Sequence, residues 1–225
     1  MGYKYLPSTK SIILNDYHKK MRVQIVKSYI TERINFHKVA FTDECRFTLD
    51  GNDNVNSWSK KNPEIVNRRP YKGGSIIIWG TMTHTGALLL RKVEGSLNSE
   101  KYCDLLTKDI IPSLKSEIES FILQQDNVPC HNSKYTISTI KAAGIEILNW
   151  PPHSPDLSPI EKIWSILKSK VYEHGNFQDN TSLWNKIQNE APKIKINDPD
   201  LFRKLYTRFY ESMCDILCSG GELIK

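Results

Sequence analysis

The sequence predicts an α/β fold in which helices flank a mixed five-stranded sheet, with extra helices at both termini. Three observations lead to this prediction. Residues 39–50 alternate apolar and polar side chains with the period of a β-strand. Two apolar runs, at 75–82 and 86–95, meet at the turn sequence THTG and indicate a hairpin. In the second half of the chain, strand patterns alternate with helical patterns, which favours parallel pairing under a cover of helices.

Two segments that flank these strands suit helices. Residues 8–32 predict a basic amphipathic helix, because apolar side chains recur at every fourth position between lysines and arginines. The recurring side chains are Ile13, Tyr17, Met21, Ile25 and Tyr29. Residues 98–118 also carry an apolar stripe, and Pro112 is expected to kink or interrupt that helix. Residues 51–74, after the first strand, are basic and loop-like.

The second half of the chain repeats a strand–helix order. The predicted strands are 121–126 and 145–150, and the predicted helices are 133–143, 161–172, 181–192 and 197–218. A proline-rich turn, PPHSPDLSP, leads into the helix at 161–172. The whole order is three strands, helix, strand, helix, strand, helix and a helical tail, which is the order of the ribonuclease H-like fold.

This order divides the chain into three parts. Residues 1–33 form an N-terminal linker and basic helix, and residues 176–225 form a C-terminal helical extension. Residues 34–175 between them form a ribonuclease H-like core that contains the basic insertion 51–74. A chain of 225 residues is long enough to bury a core of this kind.

Composition excludes several classes of protein. Charged residues make up 25% and hydrophobic residues 39% of the chain, as in globular proteins and unlike disordered ones. The apolar runs are too short to cross a bilayer, and the N-terminus lacks the apolar segment of a signal peptide. Five scattered cysteines without a CxxC pair argue against a zinc site and favour an intracellular protein. The net charge of +6 fits either a solvated basic surface or a polyanionic partner.

Three acidic side chains stand where functional residues collect in such a fold. Asp43 lies on the apolar face of the first strand, Asp126 ends the fourth strand, and Glu161 opens the helix after the fifth. Each also has a structural explanation. Asp43 could be a hydrogen-bonded polar residue and Asp126 a turn residue. Glu161 fits the N3 position of a capping box, with Ser158 at the N-cap and Pro159 at N1.

Taken together, the three carboxylates indicate a metal site. The first and fourth strands are neighbours at the centre of this fold, and the helix that carries Glu161 packs beside them. Carboxylates that converge without a cation repel one another, whereas Mg²⁺ and Mn²⁺ prefer oxygen ligands. Two such ions can activate a nucleophile and stabilise the leaving oxygen of a phosphoryl displacement. The pattern therefore predicts two divalent ions, Mg²⁺ or in its place Mn²⁺, held by Asp43, Asp126 and Glu161.

Four segments carry a family resemblance. They are FTDE at 41–44, GGSIIIWG at 73–80, QQDNVPCHNS at 124–133 and NWPPHSPDLSPIEKIW at 149–164. Together they resemble the catalytic domain of mariner-type DNA transposases, which carry an acidic triad on a ribonuclease H-like fold. Thirty-four residues separate Asp126 from Glu161, a spacing typical of that superfamily, and the ending SGGELIK resembles the family's C-terminal tail. Because the third acid of mariner proteins is usually Asp, Glu161 points to a sister branch.

The resemblance implies a metal-dependent DNA endonuclease and strand transferase. Family members cut at the ends of their element with water as the nucleophile, and the freed 3′-hydroxyl attacks target DNA at a TA dinucleotide. By resemblance, Asp43 contacts both metal ions, while Asp126 and Glu161 each hold one. The implied partners are double-stranded DNA, as transposon ends and target, and a second copy of the chain in the DNA complex. A eukaryotic member acts in the nucleus.

The basic insertion corresponds to a family segment that reaches across to the partner subunit. Its candidate phosphate contacts are Lys60, Lys61, Arg68, Arg69 and Lys72, and its Trp58 is expected to stack or pack. A solvated basic loop explains any single one of these cations equally well. His131 occupies the family's histidine position. It is a candidate DNA contact near the scissile phosphate, and a structural hydrogen bond is the alternative.

Family members carry paired helix-turn-helix modules ahead of the catalytic domain. The chain begins at about the linker to that domain, so recognition of specific element ends is not expected of it. Two other functions stay open. One is a degenerate transposase-derived module that binds nucleic acid without catalysis, against which the three acids argue. The other is a cellular nuclease that acts on RNA–DNA hybrids, against which the PPHSPDLSPIEKIW block and the basic insertion argue.

Overall fold

A computed structural model describes residues 13–51 and 73–224, which form a five-stranded sheet covered by helices on both faces. The strands are β1 (Val39–Thr48), β2 (Ser75–Met82), β3 (Leu88–Val93), β4 (Ile122–Gln124) and β5 (Glu146–Ile147). The helices are α1 (Asp16–Thr31), α2 (Ser99–Leu105), α3 (Ile111–Glu117), α4 (Lys134–Ala142), α5 (Ile160–Val171), α6 (Asn180–Asn197) and α7 (Leu201–Cys218). No helix in these described ranges is long and apolar enough to span a membrane.

The strand order is β3-β2-β1-β4-β5. The pairs β1–β2 and β2–β3 are antiparallel, and the pairs β1–β4 and β4–β5 are parallel, so the predicted mixed sheet is confirmed. In the parallel ladder between β1 and β4, Phe41 lies opposite Gln124. Because the two strands run in the same direction, this register carries Asp43 level with Asp126, two residues beyond each member of that pair.

Each face of the sheet has its own hydrophobic core. The odd-numbered side chains of β1, such as Phe41 and Phe47, pack in a core that α1, α5, α6 and α7 complete. On the other face, Ala40 and Trp79 pack in a core with side chains of α2, α3 and α4. Because successive strand residues point to opposite faces, Asp43 lies on the α5 side of the sheet. The core on the α5 side contains residues from all three predicted parts of the chain. The division of the chain into these parts stays a prediction.

Among the described residues, helix α1 begins later than predicted, and it buries Ile25 and Tyr29 of the predicted stripe but not Ile13 or Tyr17. It begins after the N-cap Asn15, whose side chain accepts a hydrogen bond from the His18 backbone N–H. Of the predicted stripe, Ile13 precedes the helix and is 86% exposed, and Tyr17 is 65% exposed. The buried residues are Arg22, Ile25, Val26 and Tyr29. An arginine therefore occupies a core position that apolar periodicity alone does not predict.

The helix predicted at 98–118 is interrupted. Between α2 and α3, residues Leu106–Ile110 form a π-helical turn, in which the N–H of Ile111 donates to the carbonyl of Leu106. Pro112 lies in the first turn of α3, where its missing N–H removes one helical hydrogen bond. The predicted interruption is confirmed, and it lies in the turn that precedes the proline.

Helix α7 is attached to the sheet by a buried tyrosine. The Tyr206 hydroxyl is fully buried with its side chain and donates to the Val39 carbonyl oxygen at 2.5 Å. Burial raises the pKa of this hydroxyl well above its ordinary value, so it remains a donor. The bond joins the last helix to the start of the central strand.

Tyr206→Phe is expected to lower the free energy of unfolding by about 1–3 kcal/mol, because it leaves a buried carbonyl without its donor. Urea denaturation measures the change. Tyr210→Phe on the same helix is the matched control, since Tyr210 is 40% exposed and water can replace the lost contact. Equal effects of the two variants would contradict the prediction.

Candidate active site

The three predicted acids line one cavity of about 440 Å³ beside the middle of β1 and the carboxyl end of β4. Asp43 reaches it from β1, Asp126 from the loop after β4, and Glu161 from the first turn of α5. The rest of the wall consists largely of Thr42, Gln124, Asn127, Val128, Pro129, Trp150 and residues 151–155. The structure therefore brings together side chains that are far apart in sequence.

Asp43 is half-buried in the cavity wall, and its pKa is raised to about 7. Loss of water is the main cause, and the negative charge of Glu161 adds to it, with a smaller contribution from Asp126. Hydrogen bonds from the Glu44 backbone and from Trp164 act in the opposite direction. The carboxylate is thus held where ionisation is costly unless a cation is near.

A tryptophan of α5 orients Asp43. The Trp164 indole Nε1 donates to Asp43 Oδ2 at 3.0 Å. The ring can lie there because Gly80, which pairs with Asp43 across β1 and β2, has no side chain. A Cβ at Gly80 would be 2.5 Å from the Trp164 ring. The register of the two strands therefore explains why glycine is needed opposite Asp43 where the Trp164 ring packs.

Asp126 is held by a buried histidine. His131 Nδ1 lies 2.7 Å from Asp126 Oδ1, and His131 Nε2 lies 3.5 Å from Glu44 Oε1. The imidazole is 4% exposed and packs on the Tyr102 ring at 4.1 Å between centroids. Its pKa is raised by the two carboxylates against the opposing effect of burial. This burial does not fit the predicted DNA contact and favours the alternative, a structural hydrogen bond that orients Asp126.

Glu161 belongs to the cavity and does not cap α5. Pro159 occupies the N-cap position, no side chain caps the helix, and the Glu161 N–H bonds to the Ser158 carbonyl at 3.3 Å. The Ser158 hydroxyl oxygen is buried and has no hydrogen-bond partner among the residues that the structure describes. The predicted capping box is therefore wrong, because the chain enters the helix through a 3₁₀ turn at Pro155–Leu157.

The cavity walls also change the ionisation of Glu161. Although its side chain faces the cavity and remains exposed, the surrounding protein displaces enough water to raise its pKa, and the positive charge of Lys168 partly offsets this effect. Two of the three acids thus have pKa values that a nearby cation would lower.

The chemistry of these side chains fits a hard divalent cation. All three donors are carboxylates, and a bound cation removes both the desolvation cost at Asp43 and Glu161 and the repulsion that the other two acids exert on Asp43. In the described ranges, no three His, Cys, Asp or Glu side chains lie close enough to enclose an ion by themselves. Water or phosphate oxygens would have to complete the coordination, as is usual for Mg²⁺.

The predicted phosphate contacts lie outside the residues that the structure describes. They are Lys60, Lys61, Arg68, Arg69 and Lys72 of the basic insertion, and Trp58, which is predicted to stack or pack, lies there too. Their roles remain predictions from the sequence.

Comparison with known proteins identifies the family. Residues 38–184 match the family model of the DDE superfamily endonucleases. The chain belongs to this family. The Tc3 transposase of Caenorhabditis elegans is 35% identical over 164 residues, which cover 71% of this chain and 49% of that protein. The Tcb2 transposase of Caenorhabditis briggsae is 31% identical over 139 residues, which cover 58% and 50%. The chain thus spans about half the length of these relatives.

Solved structures show the same fold. The Mos1 transposase paired-end complex with the left transposon end matches with a TM-score of 0.81 at 16% identity, over 99% of this chain and 68% of that chain. The catalytic domain of Mos1 mariner transposase matches with a TM-score of 0.73 at 15% identity, over 96% and 100%. These similarities confirm the predicted ribonuclease H-like fold of this DDE endonuclease.

Asp43→Asn is expected to stabilise the metal-free protein at pH 8 by about 1–4 kcal/mol and to have little effect at pH 4. The folded-state pKa of about 7 exceeds the ordinary value of 3.8, so the wild type loses stability as the pH rises from about 4 to 7. Urea denaturation in EDTA across this range measures the difference. Asp104→Asn, an exposed acid on α2, is the control. A stabilisation that does not change with pH would contradict the proposed cause.

Gly80→Ala is expected to destabilise the protein by about 1–3 kcal/mol, because its methyl group would collide with Trp164. The smaller ring in Trp164→Phe should relieve the collision. In the Trp164→Phe background the cost of Gly80→Ala should therefore shrink, which a four-protein denaturation cycle measures. Additive effects would show that the two residues are not coupled.

Proposed function

We propose that this DDE endonuclease is the catalytic part of a DNA transposase, which cleaves DNA at the ends of its element and joins the freed 3′-hydroxyl to target DNA at a TA site. One observation carries the proposal. Three carboxylates from three separate elements line a single cavity, in a chain whose residues 38–184 match an endonuclease family. The relatives named Tc3 and Tcb2 are transposases, which supports the strand-transfer step.

In this proposal the carboxylates hold two divalent ions, Mg²⁺ or Mn²⁺. The charges of both Glu161 and Asp126 act on Asp43. Asp43 would therefore bind both ions, while Asp126 and Glu161 would each bind one. Bound ions supply activation of the attacking water or 3′-hydroxyl and neutralise charge that develops on the phosphate. Solved Mos1 structures with Mg and with Mn support the choice of metal.

The side chains of this chain orient the reacting groups. Trp164 donates a hydrogen bond to the Asp43 carboxylate, and the His131 imidazole makes one with Asp126. Trp150, Pro151 and Pro152 form an apolar part of the cavity wall. Carboxylates that are fixed before the substrate arrives lose little conformational entropy during the reaction.

The proposed partners are double-stranded DNA and a second copy of the chain. The Mos1 paired-end complex contains a transposon end and supports both partners. Within the chain, the cations Lys60, Lys61, Arg68, Arg69 and Lys72 would neutralise DNA phosphates. Because the organisms of the transposase relatives are eukaryotes, the DNA substrate would be nuclear.

Asp126→Asn and Glu161→Gln are each expected to slow Mn²⁺-dependent nicking of supercoiled plasmid by about 100-fold or more, since each removes a charge that holds the ions. Gel electrophoresis measures nicking, and calorimetry measures the loss of Mn²⁺ binding. Asp104→Asn and Glu146→Gln, which change exposed acids away from the cavity, are the matched controls.

Metal-dependent nicking that survives either cavity substitution would refute the assignment of the acids. If the wild type binds DNA but neither nicks it nor binds Mn²⁺, the non-catalytic module is favoured. Thermal unfolding of each variant separates lost chemistry from lost folding.

A further inference from the structure

A buried arginine connects helix α1, the cavity wall and residues 221–224, which we call the C-terminal segment. Arg22 on α1 is fully buried, and its guanidinium donates to the two carboxylate oxygens of Asp156 at 2.8 and 2.6 Å. It donates to Ser154 Oγ at 2.6 Å. It also donates to the carbonyl oxygens of Gly221 at 2.9 Å and Glu222 at 3.1 Å. We call these groups the arginine clamp.

The C-terminal segment fits the clamp closely. The N–H of Ile224 donates to Asp156 Oδ2 at 2.9 Å, so the same carboxylate binds both Arg22 and the backbone of residue 224. Gly221 has a φ of +93°, and a Cβ there would lie 2.3 Å from the carbonyl oxygen of Lys19. Only glycine allows this approach of the segment to the backbone of α1. The C-terminal segment is thus a built part of the structure.

Helix α1 also contacts the cavity wall beyond the clamp. Two turns after Arg22, the Tyr29 hydroxyl donates to the carbonyl oxygen of Asn149. Near the start of α1, the His18 ring lies 4.3 Å from the His153 ring, between centroids. The helix therefore holds the segment 149–156 at both ends, and residues 150–155 of that segment line the catalytic cavity.

The held segment is strained and determines where α5 begins. His153 has a φ of +50°, a left-handed conformation that a residue with a side chain keeps only where its surroundings enforce it. Its carbonyl oxygen is 3.4 Å from Arg22 Nη1. Because no side chain caps α5, the path of this segment sets the position of the first helical turn and of Glu161.

We propose that the arginine clamp sets the shape of the catalytic cavity, and that Arg22 is a positioning residue for DNA cleavage. The proposal rests on the proposed function, since it assigns Arg22 a part in that reaction without contact to DNA or metal. The planar guanidinium serves two carboxylate oxygens, a hydroxyl and two carbonyls at once. A lysine ammonium cannot reproduce this forked, planar arrangement of N–H donors. The clamp links the C-terminal segment to catalysis through the wall of the cavity.

Two pairs of variants test the clamp in the whole chain. Gly221→Ala pushes the C-terminal segment from α1, whereas Gly220→Ala places a methyl group at a similar φ of +69° in open space. Arg22→Lys removes the fork, whereas Arg203→Lys changes an arginine that is 68% exposed. The rate of Mn²⁺-dependent plasmid nicking is measured at saturating metal over a range of DNA concentrations, below the melting temperature of every variant.

Gly221→Ala and Arg22→Lys are expected to lower kcat by about 10- to 100-fold, as a small misplacement of catalytic groups does, with KM for DNA nearly unchanged. Each control should match the wild type. A folded Arg22→Lys or Gly221→Ala variant with unchanged kcat, or with a changed KM alone, would refute the positioning role and leave Arg22 as a stabilising residue.

Failure of the proposed function can be told apart from failure of the clamp. If the wild type itself does not nick DNA, the proposed function fails, and hydrogen–deuterium exchange decides whether the clamp shapes the cavity. Arg22→Lys and Gly221→Ala should then speed exchange in residues 149–158 and leave α2 and α3 unchanged. Unchanged exchange in 149–158 would refute the clamp as well.

Discussion

The parallel pairing of β1 with β4 is the constraint on which the candidate site depends. Its ladder has three residue pairs, which end at Phe41 and Gln124. Thr42 extends it through side chains, because its N–H donates to Gln124 Oε1 at 3.0 Å and its hydroxyl donates to the Gln124 carbonyl at 2.7 Å. Both groups are buried, so leaving either unpaired would be costly. This short, fully bonded contact holds Asp43 and Asp126 at one cavity.

Asp43 on β1 and Asp126 in the loop after β4 then each receive support from one face of the sheet. Trp164 reaches Asp43 from the α5 side, where Gly80 leaves room for its ring. His131 holds Asp126 from the side of Tyr102, where it also approaches Glu44. Trp164 is a neutral donor and leaves the charge of Asp43 in place, whereas Asp126 and Glu44 favour the protonated form of His131. Such an arrangement is unfavourable for an isolated protein and favourable for one that binds cations.

The sequence correctly predicted features that depend on a single strand or helix. The alternation in β1 correctly placed Asp43 on the face of Phe41 and Phe47, and the proline in the helix at 98–118 correctly predicted an interruption. It failed where a residue depends on a distant partner. Periodicity marked Tyr17 as buried, whereas the buried residue is Arg22, whose partners lie more than 100 positions away.

The capping box shows the same limit at short range. Ser158, Pro159 and Glu161 have the residue types and spacing of a helix start, and the helix does begin there. The serine hydroxyl nevertheless makes no cap, because the 3₁₀ turn before it and the clamp on Asp156 determine the direction of the chain. The residue pattern located the helix end but could not show which hydrogen bonds form there.

The sequence by itself determined the order of elements, the ribonuclease H-like fold, the family and the three acids that share one cavity, because these depend on local periodicity and on long motifs. Only the tertiary structure decided which side chains orient those acids. Trp164, His131 and Arg22 act through hydrogen bonds to residues that are distant in sequence or held by a particular loop, and such contacts exist only once the sheet has set its register.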